Sequence, residues 1–143
     1  MLFHQFKHSN PATDSEIKFI ESYLALMLLP LKEALTQIET HFLVGASGTF
    51  DVLENNLPHL EKGKKYVCLS VNDYDNYYQQ LVKTTLEERL QMEGIPNLRA
   101  EMLVVAFILV KYVFSLLPNS QRFYISDYAM KEGILAEMMT ASA

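Results

Sequence analysis

Three short stretches carry residues whose types and spacing suit contact with an anion. The first is Val44-Gly45-Ala46-Ser47-Gly48-Thr49. Its glycines let another molecule approach the backbone closely. Turn amides and the hydroxyls of Ser47 and Thr49 suit phosphate or sugar oxygens. The spacing is neither a Walker A loop nor a GxGxxG dinucleotide fingerprint, and an ordinary tight strand-to-helix turn would use the same residues. The second stretch, Gly94-Ile95-Pro96-Asn97-Leu98-Arg99-Ala100-Glu101, sets Arg99 and Glu101 in the first turn of an apolar helix. An arginine there opposes the helix macrodipole, so its guanidinium is available to an anion or to a neighbouring carboxylate. The third, Ser126-Asp127-Tyr128-Ala129-Met130-Lys131-Glu132-Gly133, carries a strand into a helix. Asp127, Lys131 and Glu132 could line a cleft at the strand's C-terminal end, where α/β sheets place ligands. They could equally be caps and solvated charge.

Other residue types point away from chemistry. His4, His8, His41 and His59 share no metal-ligand spacing, and HExxH does not occur. Spacing alone assembles no serine–histidine–acid triad. Cys68 is the single cysteine, which excludes an internal disulfide and a Cys-rich zinc cluster. One thiol fits a reducing cytoplasm, and a small buried hydrophobe is its expected role. Few basic residues interleave with Tyr74, Tyr77 and Tyr78, so packing or a protein interface is expected there rather than nucleic acid.

The elements that must position these motifs follow from periodicity and breakers. Leu2 to Phe6 reads as the end of a strand, closed by Ser9-Asn10-Pro11. Thr13 and Glu16 form a capping box. Apolar residues at 17, 20, 24, 27, 28, 31, 35 and 38 then keep helical spacing, with Pro30 kinking or splitting the helix. His41 to Val44 reads as a buried strand feeding the glycine turn, and Phe50 to Asn55 as a short helix. Asn56 to Lys65 reads as loop and Tyr66 to Ser70 as a strand. Helical segments are expected at Tyr74–Leu81, Thr85–Met92 and, after the Gly94–Asn97 breakers, Leu98–Leu117. Arg122–Ser126 is a strand and Lys131–Met139 a terminal helix. Strands alternating with helices predict an α/β layer, but only three or four strands are visible, as if part of a sheet lay upstream.

Composition bounds the function. The chain has 143 residues, half of them hydrophobic and 20% charged, which predicts one globular domain over 1–143. A net charge of −5 excludes nucleic-acid binding through a general basic surface, but not a focused anion site. Met102 to Val110 is wholly apolar, yet Glu101 and Lys111 interrupt the run and Pro96 and Pro118 close it. A membrane span needs about 20 mostly apolar residues, so a buried helix is expected. Met1 to Asn10 has no continuous apolar stretch of a signal peptide.

In this order the three motifs resemble the C-terminal part of the exopolyphosphatase and guanosine-pentaphosphate phosphatase (Ppx/GppA) family. The matching pieces are Val44 to Thr49, Gly94-Ile95-Pro96 with Arg99-Ala100-Glu101, the apolar helix, Tyr124-Ile125-Ser126 and Lys131-Glu132-Gly133. Leu2 to Phe6 with Asn10-Pro11 is similar to the segment after the family's second phosphate loop. The chain departs at Ala46, where the family has a threonine, at Glu101 for its aspartate, and at Lys131 for its arginine.

The resemblance implies a partial actin-like (ribonuclease-H-like) domain, α/β and helix-rich with a small mixed sheet, from a two-domain cytoplasmic phosphohydrolase. That enzyme would remove terminal phosphate from polyphosphate or guanosine pentaphosphate, with Mg²⁺ in its complete form. The resemblance places Gly45, Ser47, Gly48 and Thr49 toward the substrate, with Arg99 and Glu132 as further cleft residues. It assigns no catalytic residue and no metal ligand to this chain. The glycine-rich phosphate loops and the general base belong to an N-terminal part not in this sequence, so the chain alone is expected to be inactive. The alternative is a non-catalytic interaction module that retains the fold and self-associates, for instance as a homodimer, through an unpaired sheet edge.

Overall fold

The computed structural model describes residues 6–40 and 42–141. In chain order the elements are α1 (Asp14–Met27), α2 (Leu29–Leu35), β1 (Leu43–Ala46), α3 (Thr49–Asn56), β2 (His59–Lys62), β3 (Tyr66–Ser70), α4 (Val71–Leu81), α5 (Leu86–Gln91), α6 (Asn97–Ala100), α7 (Leu103–Ser115), β4 (Arg122–Ser126) and α8 (Met130–Ala141). The expected strand over 2–6 lies outside the described residues except for Phe6, which is buried. His4 and His41 also lie outside them.

Local signals set most helix starts. Thr13 caps α1 in the expected box: its hydroxyl accepts from the Glu16 amide at 3.3 Å, and the Glu16 carboxylate accepts from the Thr13 amide at 2.7 Å. Thr85 and Glu88 repeat the device at α5. Asn10 ties the two starts together, accepting from the Leu86 amide at 2.6 Å. Pro30 sits in the first turn of α2, where no amide donor is needed, so the predicted helix is split. The split changes the burial. Ile20 and Leu24 are buried, whereas Leu31 and Ile38 are exposed, because the break after Met27 carries the later positions off the core.

The sheet order is β1-β4-β3-β2. β1 runs parallel to β4, with Gly45 opposite Ile125. β3 is antiparallel to both its neighbours. Val67 pairs with Ile125 and Leu69 with Phe123, and these four are buried, which defines the core face of the two central strands. The antiparallel β2, expected as loop, is exposed at every position. Its polar residues give no alternation, and pairing with β3 is what makes it a strand. β1 is also more open than expected: it is an edge strand and Val44 is 55% exposed.

The predicted long apolar helix is two helices. α6 holds Leu98 and Arg99, a turn follows at Glu101–Met102, and α7 then buries Leu103, Val104, Val105, Phe107, Ile108, Val110 and Phe114. Tyr74 of α4 stacks on Phe107 with ring centroids 5.6 Å apart and meets Phe114 edge-on at 5.0 Å. Phe114 lies 5.0 Å from Phe123 of β4. This aromatic column joins helices to sheet, and each fully buried ring contributes roughly 1.5–3 kcal/mol through burial. Cys68 is a buried free thiol, as expected. Among the described residues no helix is long and apolar enough to cross a membrane.

Candidate functional site at the C-terminal ends of the parallel strands

β1 and β4 end side by side, with Ala46 opposite Ser126. The chain leaves each strand through one of the polar turns identified above. After Ala46 it takes two left-handed steps, Ser47 at φ 58° and Gly48 at φ 59°. The second suits glycine, which has no Cβ to clash; the first is unusual for a serine. Gly45 is required for a different reason: a Cβ there would overlap the ring of Phe50. The turn closes with the Phe50 amide donating to the Ser47 carbonyl at 3.1 Å. Gly48 offers no side-chain cap to α3. First-turn helix amides lack intrahelical acceptors, so this end of α3 presents donors beside the Ser47 and Thr49 hydroxyls.

Arg99 reaches the same turn from α6. Its Nη1 lies 3.1 Å from the point where a Cβ on Gly48 would stand. Among the described residues no carboxylate lies within salt-bridge distance of Arg99, so its guanidinium is not engaged by a neighbouring acid. Arg99 lines a groove of about 450 Å³ with Asp51, Asn55, Gly94 and Pro96. A second cavity, about 240 Å³ and polar, is lined by Ser47, Asp51, Glu54, Ser126, Asp127 and Lys131. The three sequence motifs therefore converge: the first and third share this cavity, and the second contacts the first through Arg99.

Glu132 is placed differently. Its carboxylate accepts from the Ala129 amide at 2.8 Å and lies 3.5 Å from Lys131 Nζ. The Ala129 hydrogen bond, chiefly, holds its pKa below the usual carboxylate range. It braces the turn that presents Asp127 and Lys131, and is not among the residues lining that cavity. Asp51 and Glu54 were not singled out from sequence. Their signal was available: they stand three apart on the helix that follows the glycine turn, so both share one face. Among the described residues no three His, Cys, Asp or Glu side chains converge as a metal site.

Comparison with known proteins is consistent with this geometry. A sequence model of the Ppx/GppA phosphatase family matches residues 1–142. The crystal structure of an exopolyphosphatase from Cytophaga hutchinsonii superposes with a TM-score of 0.85 at 32% identity, covering 98% of this chain and 46% of that one. The Ppx/GppA family member of Aquifex aeolicus superposes at 0.71 and 18% identity, covering 99% and 46%. An exopolyphosphatase-like protein superposes at 0.80 and 15% identity, covering 99% and 48%. No curated protein matches. The chain spans about half the length of these solved structures, and its α/β architecture is the expected partial actin-like one. With the match running along nearly its whole length, the chain belongs to the Ppx/GppA phosphatase family.

Proposed function

We propose that this chain forms a substrate-binding wall of an exopolyphosphatase-type phosphohydrolase and has no turnover by itself. The observation that carries the reading is the unpaired Arg99 guanidinium set against Gly48 at the end of β1. Phosphoryl transfer depends on positioning and on neutralising charge over the phosphoryl oxygens. Amides of the Gly45–Thr49 turn, the Ser47 and Thr49 hydroxyls and Arg99 can donate to such oxygens, and Gly48 keeps the approach clear. Glu132 acts indirectly, by holding the 126–131 turn. The ligand is polyphosphate or guanosine pentaphosphate. The glycine-rich phosphate loops and the general base are supplied by the family's other half, in a cytoplasmic enzyme. Magnesium is expected from the family resemblance, in the complete enzyme.

The test is phosphate release from long-chain polyphosphate and from guanosine pentaphosphate, with Mg²⁺, by this chain and by a protein extended upstream through the phosphate loops. Silence here and turnover in the longer protein is the expected result. In the longer protein, Arg99→Gln should raise KM about tenfold or more, as loss of one charge-assisted contact would. Turnover by the short chain, or full activity after Gly48→Asp in the long one, would overturn the reading.

A second reading, self-association without catalysis, is favoured by one feature: β1 is an edge strand carrying the exposed Val44. A discrete dimer in sedimentation equilibrium would support it, and a monomer across the concentration range would remove it.

A further inference from the structure

Arg89 is the one charged side chain in the core of the described residues, only 1% exposed. Its Nε donates to the Ala100 carbonyl at 2.8 Å. Nη1 donates to the Thr84 carbonyl at 2.6 Å and to the Thr84 hydroxyl at 3.3 Å. A guanidinium carries five donors, and neither hydrogen on Nη2 is used. No described carboxylate lies within salt-bridge distance. The two acids beside it in sequence are engaged elsewhere, Glu87 with the Asn10 amide and Glu88 with Thr85. Glu87 and Glu88 offset its charge through space, but burial outweighs them.

The same side chain lines a cavity of about 490 Å³ together with Lys7, His8, Asn10, Leu86 and Glu101. This cavity shares no lining residue with the two that meet Ser47 and Arg99. Its basic residues come from two distant parts of the chain, Lys7 and His8 before α1 and Arg89 in α5. The Asn10 bond to the Leu86 amide pins those parts together. Glu101, exposed, is the one carboxylate on the wall. His8 Nδ1 donates to the Ser9 carbonyl at 2.7 Å, which leaves Nε2 of the neutral ring an acceptor, so the donors to an anion here are Arg89 and Lys7.

We propose that this cavity is a second anion site, in which Arg89 and Lys7 hold a phosphate-type oxyanion, free or at the end of a phosphorylated molecule. Planar, fixed donors at the floor and a mobile ammonium at the rim suit a tetrahedral oxyanion.

The test uses the full 143-residue chain with inorganic phosphate as probe, read by ³¹P NMR and thermal shift at constant ionic strength. Saturable binding with competition by sulfate is expected. Lys7→Glu should weaken it about tenfold or more without lowering the melting temperature. Arg89→Lys should weaken it too, and Lys7→Glu serves if that variant does not fold. Arg99→Gln, which removes the contact beside Gly48, should leave a saturable component, and that component is the one Lys7→Glu weakens. Tripolyphosphate binding more tightly than phosphate would assign a chain end, and equal binding a free ion; either supports the site. Absence of saturable binding overturns the proposal. So does binding that Lys7→Glu leaves intact; if Arg99→Gln abolishes it instead, the anion sits beside Gly48, and the first reading survives without this one.

Discussion

Gly48 and Arg99 are separated by about fifty residues in sequence, yet Arg99 Nη1 stands 3.1 Å from where a Cβ on residue 48 would be. Gly48 is also held at φ 59° and ψ −117°, a backbone region costly for any residue with a Cβ. Gly48→Ala should therefore destabilise the chain by about 1–3 kcal/mol and displace the guanidinium. Urea unfolding measures the first effect. In the upstream-extended protein, a raised KM for polyphosphate measures the second.

Gly45 is constrained by contact. Its backbone lies against the Phe50 ring, and a methyl group would overlap that ring. Gly45→Ala should cost about 1–3 kcal/mol, the usual range for overpacking. Phe50→Leu in the same chain should recover part of the loss. A double-mutant cycle in urea checks this; strict additivity would show that the two residues do not share the strain.

Two tyrosines with buried hydroxyls should respond in opposite ways to loss of that group. Tyr74 donates to the Phe107 carbonyl at 2.6 Å, and burial, above all, raises its pKa, so it stays a donor across the working range. Tyr74→Phe should destabilise by about 1 kcal/mol. The buried Tyr77 hydroxyl has no hydrogen-bond partner, so Tyr77→Phe should be neutral or stabilise by up to about 1 kcal/mol. Paired melts of the two variants decide it.

Glu16 links the capped start of α1 to pH. Its carboxylate accepts from the Ser9 hydroxyl and from the Thr13 amide and hydroxyl. The Ser9 hydroxyl, above all, holds its pKa down to about 2, against 4.5 for an unperturbed carboxyl. A depressed native pKa means that this contribution is complete above pH 4.5 and is lost as pH falls toward 2. Glu16→Gln should lower the melting temperature by a few degrees at pH 7, and the difference from the parent chain should shrink to nothing near pH 2. A constant difference across that interval would assign the effect to packing.

Much of this protein is determined locally and is legible in the sequence. Thr13 and Thr85 cap helices because each glutamate three residues on can return the bond within one turn. Strand β3 falls at Tyr66–Ser70 and β4 at Arg122–Ser126 as expected, because apolar, β-branched and aromatic residues suit a pleated surface. Pro30 divides its helix by covalent geometry alone. The glycine turn after β1 is likewise visible, since few residues tolerate its backbone.

Tertiary structure decided what no single stretch contains. His59 to Lys62 is a strand because β3 offers it a ladder, and nothing in its own residues asks for one. The break at Glu101–Met102 separates Arg99 from the apolar helix and lets it meet Gly48. Asp51 and Glu54 join Asp127 in one cavity because parallel pairing of β1 with β4 brings their ends to the same edge. Glu132 turns back to brace a backbone amide. Arg89 lies in the core because carbonyls of Thr84 and Ala100 converge on it from outside its own helix. Short-range bonding and steric limits act within a few residues and can be read in order. Which distant side chains meet depends on strand register and on how the helices pack, and those are properties of the folded chain.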